Sequence, residues 1–187
     1  MKTIYLEAGH HLSDPGAVTH TADGQLTEAS LTTELRNQVV AKLSELAALQ
    51  NKPVAVVTDS DAMNLVQTIA HAGKQTKAGD IVCSIHFNAG PSAASGTETF
   101  IAFPSSEGER LLANRLQKAI CTVLQLPNRG VKTEQQSARR RLGILHHPAH
   151  NVLVEVCFIS NPTDLSTYFQ KQDLVAEAIA KSLLMSI

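Results

Sequence analysis

No stretch of this 187-residue chain approaches the roughly 18 consecutive apolar residues of a membrane-spanning helix, so membrane insertion is not expected. Cysteine is scarce. Cys83, Cys121 and Cys157 are odd in number and form no C-x-x-C pair, which argues against a disulfide frame or a cysteine zinc knuckle. An excess of either charge is also missing: 16 Lys and Arg stand against 17 Asp and Glu, for a formal net charge of -1. Its one basic run, Arg139 to Arg141, reads as a solvated turn, and the balance argues against a nucleic-acid partner. There is no H-E-x-x-H, which excludes a thermolysin-type zinc helix, and no repeat, low-complexity tract or linker. No cleavable apolar segment precedes the strand-like start at Lys2, so synthesis without a signal peptide is expected.

What remains is ordinary for a globular protein, 43% apolar and 18% charged, and long enough for one domain over residues 1–187 with a real core. Its patterns alternate. Ile4 to Leu6 reads as a strand, and Thr27 to about Leu49 as a helix carrying Leu31, Leu35, Val39, Leu43 and Leu46 on one face. PVAVVT (53–58) reads as a strand, Met63 to Lys77 as a helix, IVCSIHF (81–87) as a buried strand and GTETFIAF (96–103) as another. Ser106 with Glu109 forms a capping-box signature before Leu112, Leu116, Ile120 and Leu124. NVLVEVCFI (151–159) is a last buried strand, Asn161-Pro162 a helix start, and Gln170 to Leu184 a closing helix. The fold class is therefore α/β: a single domain with a twisted, mostly parallel or mixed sheet and helices on both faces.

Four polar residues sit where this pattern calls for apolar ones, or at strand ends. His10 follows the first strand and His86 ends the run IVCSIH. Glu28 opens the first long helix on its apolar face, three residues before Leu31. Glu155 interrupts VLVEVCF, where an unpaired carboxylate is costly. Each alone has a plain structural account: a loop histidine, a core imidazole, a helix-dipole glutamate, an edge-strand or ion-paired glutamate. Together, two imidazoles and a carboxylate are a zinc donor set with one position open for water. A second, partly desolvated glutamate suits proton transfer from that water to a leaving amine. The chemistry indicated is metal-assisted amide hydrolysis.

The same residues lie in motifs that resemble the zinc-dependent N-acetylmuramoyl-L-alanine amidases of the amidase-3 family. EAGHHLSDPGA (7–17) corresponds to the family's D-P-G-H-G-G-x-D-P-G-A, and GQLTEASL (24–31) supplies its helix-start glutamate. SIHFNA (84–89) matches S-I-H-x-N-A, GTE (96–98) matches G-x-E, and RGVK (129–132) matches R-G-V-K. VEVCFISNP (154–162) stands for V-E-C-G-F-x-S-N-P. These matches run in order from Ile4 to Pro162.

The resemblance implies a sheet of about six strands, one Zn²⁺ held by His10, Glu28 and His86, and Glu155 as catalytic base and acid. It implies cleavage of the amide between the lactyl group of N-acetylmuramic acid and the L-alanine of the peptidoglycan stem peptide. Asn88, Arg129 and His147 are candidate substrate contacts. His11 stands where the family has glycine, and the register with Gly9 favours His10 over His11 as the ligand. Glu7-Ala8 replaces the family's Asp-Pro.

Cys157, two past Glu155, is expected on the same strand face, either as a thiol near the metal or as a small buried residue. HHPAHN (146–151) is read as a surface loop or as a rim touching the stem peptide or a second zinc, with Arg139 to Arg141 beside it facing acidic groups. No plug-like insertion separates His86 from Glu155, so a monomer active without an activator protein is expected. Action on the wall after release or non-classical export, and otherwise a cytoplasmic location, follows from the expected lack of a signal peptide. The alternative is a zinc amidohydrolase or exopeptidase of small soluble acyl peptides.

Overall fold

A computed structural model describes residues 1–187 apart from Leu12 and Asp23. Strand β1 (Lys2–Ala8) keeps Ile4, Tyr5 and Leu6 fully buried, which requires cover on both faces. It pairs in parallel with β4 (Val54–Thr58) and with β5 (Ile81–Asn88), and β5 pairs in parallel with β8 (His150–Phe158). Then the direction reverses. Strand β6 (Thr97–Ile101) is antiparallel to β8 and carries β7 (Asn128–Thr133) parallel to itself at the edge. The order in this six-stranded sheet is β4-β1-β5-β8-β6-β7.

Helix α1 (Glu28–Leu49) begins where Thr27, as N-cap, accepts a hydrogen bond from Ser30 N, and it buries Leu31, Leu35, Val39 and Leu43. Each such side chain contributes about 1.5–3 kcal/mol on leaving water. With α3 (Glu107–Leu124) and α4 (Pro162–Leu184) it covers one sheet face, meeting Ile4, Leu6, Ile81, Cys83 and Val154. The other face is covered by α2 (Leu65–Gln75) and a 3-10 turn at Gly143–Leu145, which pack on Tyr5, Val82, Phe100 and Leu153. The capping box of Ser106 and Glu109 forms as its spacing predicts. Among the described residues, no helix is long and apolar enough to cross a membrane.

The structure departs from the sequence pattern at the periphery. Asn161 caps one continuous helix from Pro162 to Leu184, with Tyr168 buried across the supposed break before Gln170. A hairpin of β2 (Val18–Thr21) and β3 (Gly24–Thr27) stands beside the first loop, and β7 is a strand in its own right. VTHT, GQLT and NRGVKT lie at the surface or an edge, so they carry no apolar alternation to betray them.

A bulge in β8 overturns one expectation. His86 pairs with Glu155 but Asn88 pairs with Phe158, so β8 spends one residue more than β5 between the two pairs. Val156 and Cys157 both enter the core under α1, α3 and α4, and Phe158 returns to the opposite side. Cys157 therefore does not share a face with Glu155, as strict alternation predicts. Burial first of all raises its thiol pKa well above the usual value.

Candidate metal centre and active site

The C-terminal ends of the parallel strands β1 and β5 lie side by side, and the N-terminus of α1 faces them. Gly9 leaves β1 in contact with the His86 ring: a Cβ there would lie 2.4 Å from Cε1. Only glycine allows the strand to pass so close. His10 follows with φ 69°, a left-handed turn that swings its imidazole back over the strand ends. Its Nδ1 meets Asp14 Oδ2 at 3.0 Å, which leaves Nε2 facing inward, 3.1 Å from Glu28 Oε2. His11 turns away, with its Nδ1 3.0 Å from Ser13 Oγ. Thus His10, not His11, faces Glu28 and His86.

Glu28 uses both oxygens. Oε1 lies 3.0 Å from His86 Nδ1 and accepts from Phe87 N; Oε2 accepts from Ala17 N and faces His10. Burial alone would raise its pKa, but hydrogen bonds from His10 and His86 outweigh that and hold the carboxyl well below the usual range. For His86 burial works downward, yet the bond to Glu28 and the charges of Glu155, Glu7 and Glu28 lift it to about 9. The site is built to stabilise positive charge between its carboxylates. His10, Glu28 and His86 offer donor atoms that all lie within 4.8 Å of one another, a nitrogen and oxygen set that zinc accepts.

Glu155 lies across the ladder from His86, on the same sheet face. Its Oε2 is buried without a hydrogen-bond partner. Burial first, then the charges of Glu28 and Glu98, raise its pKa to about 7 against the opposing influence of His86 and His10. A half-buried carboxylate whose inner oxygen has no partner is poised to take a proton. Ser84 Oγ, two residues before His86, donates to buried Glu7, and burial raises the Glu7 carboxyl pKa.

Glu98 is a member of this row to which the sequence reading assigned no role. It lies directly opposite Glu155 across β6 and β8. Asn88 Nδ2 donates to its Oε1 at 2.7 Å, and Arg129 Nε donates to its Oε2 at 2.8 Å, beside Lys132. The available signal was the carboxylate of GTE in an alternating strand, but β6 had first to be placed beside β8.

The remaining candidates are not brought together. Ile81 pairs with His150 at the start of β8, five residues (about 17 Å) from Glu155, so the loop bearing His147 belongs to the opposite end of the strands. His147 lies near Gly73 on α2, and its Nε2 is buried without a partner. His146 Nε2 meets Glu134 at 3.0 Å, in the segment that follows β7. The reversal at β6 explains this placement: β6 and β7 end where β8 begins, so Arg139 to Arg141, which follow β7, also stand far from the metal centre.

Comparison with known proteins identifies the family of the chain. The model of the N-acetylmuramoyl-L-alanine amidase family matches residues 4–185. The uncharacterised protein YqiI of Bacillus subtilis is 32% identical over 185 residues, covering 97% of this chain and 83% of that protein. The probable cell wall amidase LytH of Staphylococcus epidermidis is 31% identical over 184 residues, covering 97% of this chain; the chain spans 57% of LytH. The catalytic domain of CwlV, an N-acetylmuramoyl-L-alanine amidase from Bacillus (Paenibacillus) polymyxa var. colistinus, superimposes with a TM-score of 0.76 at 25% identity. That likeness covers 98% of this chain and 96% of the CwlV domain.

Proposed function

Given that the chain belongs to the N-acetylmuramoyl-L-alanine amidase family, we propose that it hydrolyses the amide between the lactyl group of N-acetylmuramic acid and the L-alanine of the stem peptide, with one zinc ion. His10, Glu28 and His86 would hold the ion, whose Lewis acidity acts on a water and on the substrate carbonyl. Asp14 orients His10, and the Phe87 and Ala17 amides fix the Glu28 carboxylate. Glu155 takes the proton of the attacking water on its carboxylate and returns it to the leaving nitrogen, so that the peptide departs as a neutral amine. Its raised pKa suits both halves of that transfer. Asn88 and Arg129, tied to Glu98 on the same face as Glu155, would touch the substrate, while His147 lies ahead of β8, at the other end of that strand.

The observation that carries this reading is the convergence of His10, Glu28 and His86 beside a carboxylate, Glu155, with a buried and unused oxygen. We also propose that the enzyme acts as a monomer without an activator. Between His86 and Glu155 the chain is used for β6, α3, β7 and 3-10 turns at Glu134–Gln136 and Gly143–Leu145, and α3 packs on the sheet core and α4. The proposed place of action is the cell wall.

Digestion of purified peptidoglycan by the zinc-loaded protein, beside Glu155→Gln, tests the proposal. Wild type should release new L-alanine amino termini and peptide-free glycan, while the variant binds wall and releases neither. Zinc binding without any cleavage of wall would reject the substrate and turn the search to small acyl peptides.

A further inference from the structure

We propose that Glu98 is a positioning residue that organises Asn88, Arg129 and Lys132 into a subsite for a carboxylate on the second residue of the released peptide. This rests on the amidase reading above. Glu98 and Glu155 are cross-strand partners and project from the same face, so whatever Glu98 holds lies alongside the reacting amide. Both oxygens of Glu98 are engaged, by Asn88 on one side and by Arg129 and Lys132 on the other. Two cations against one carboxylate leave one positive charge over, on a face whose other acidic groups include Glu7 and Glu155.

The arrangement fixes each group in a particular attitude. Arg129 gives Nε to Glu98, stacks its guanidinium 4.9 Å from the centre of the Phe158 ring, and reaches the Ser95 carbonyl with Nη1 at 3.4 Å. Nη2 has no hydrogen bond among the described residues, and the side chain is 36% exposed. A rigid guanidinium with a free edge is matched to a carboxylate. Asn88 spends its amide nitrogen on Glu98, which leaves Oδ1 to accept a peptide N–H. One acceptor and one cationic fork on a common tether suit one residue of an extended peptide.

Chemistry decides which half of the substrate this is. The acyl half has its carboxyl group committed to the scissile amide, so free carboxylates lie on the peptide half. Two strand spacings separate β8 from β7, about 10 Å. An extended chain advances about 3.5 Å per residue, so a carboxylate on the second residue reaches the fork when the scissile amide lies beside Glu155.

The test compares two muropeptides of equal length whose second peptide residue carries either a free carboxylate or a carboxamide. Cleavage by the zinc-loaded enzyme is measured together with calorimetric binding of the two released peptides to Glu155→Gln. Wild type should prefer the acid by at least about tenfold in kcat/KM, expressed in KM, and bind the acidic peptide correspondingly tighter. Glu98→Gln and Arg129→Gln should each bring that ratio to parity, and Arg129→Lys should retain part of it. Electrostatics without positioning predicts the reverse for Glu98→Gln, a stronger preference for the acid. Cleavage of both substrates by wild type at parity would overturn the subsite and leave the amidase reading intact. Acid-selective binding without cleavage of either would overturn the amidase reading and leave the subsite. An acid preference unchanged in Glu98→Gln would overturn the positioning role. If Glu98→Gln does not fold, Arg129→Gln, at a partly exposed edge position, decides.

Discussion

Gly9→Ala isolates the close approach on which the metal centre depends. A Cβ at this position would stand 2.4 Å from His86 Cε1 and 2.5 Å from each ring nitrogen. Ordinary carbon contacts begin near 3.5 Å, so the imidazole has to retreat by about 1 Å. The ring cannot do so and keep Nδ1 at 3.0 Å from Glu28 Oε1. Overpacking of this kind costs about 1–3 kcal/mol, readable as a lower urea midpoint at unchanged slope. The larger effect falls on function. Displacing a ligand from its supporting bonds lowers zinc affinity about 10–100-fold, and a 1 Å misplacement costs about 10²-fold in rate. Chelator competition measures the first and release of L-alanine amino termini the second. Wild-type zinc affinity and turnover in a folded Gly9→Ala protein would refute the argument that this contact places His86.

Other perturbations separate the site from its frame. Arg36 pairs with Asp59 at 2.9 Å, both nearly buried, so Arg36→Ala strands a carboxylate and should cost about 3–5 kcal/mol in urea unfolding; a loss below about 1 kcal/mol would show that water replaces the guanidinium. Burial would raise the Glu98 carboxyl pKa, but Lys132 and Arg129 outweigh it and hold the group low. Its contribution is therefore present above the unfolded carboxyl value and lost as pH falls through the lower folded one, so wild type and Glu98→Gln should converge in stability on acidification. Cys157→Ser should lower stability by about 1–3 kcal/mol, because the bulge buries that side chain in the core, and should leave zinc affinity unchanged. Weaker zinc binding at unchanged stability would instead return the thiol to the metal site.

Much of the frame was legible because burial writes itself into composition. IVCSIHF and NVLVEVCFI are continuous apolar runs because both faces of β5 and β8 are covered, and the leucine spacing from Leu31 to Leu43 marks the buried face of α1. Against those runs His86 and Glu155 stand out as exceptions. The hairpin and β7 left no such mark, since surface and edge strands need no apolar pattern.

The sequence by itself determined the α/β class and the helix starts at Ser106 and Asn161, and it singled out His10, Glu28, His86 and Glu155, because each depends on local chemistry or on a break in a buried pattern. Only the tertiary structure decided which residues stand beside them. A single antiparallel strand, β6, turns β7 around, brings Glu98, Arg129 and Lys132 to the site, and sends Arg139 to Arg141 to the opposite end of the strands, where the direction of β8 already holds His147. One extra residue in β8 removes Cys157 from the face of Glu155. Strand direction and register are properties of pairing between distant segments, and the residue types of either segment alone do not specify them.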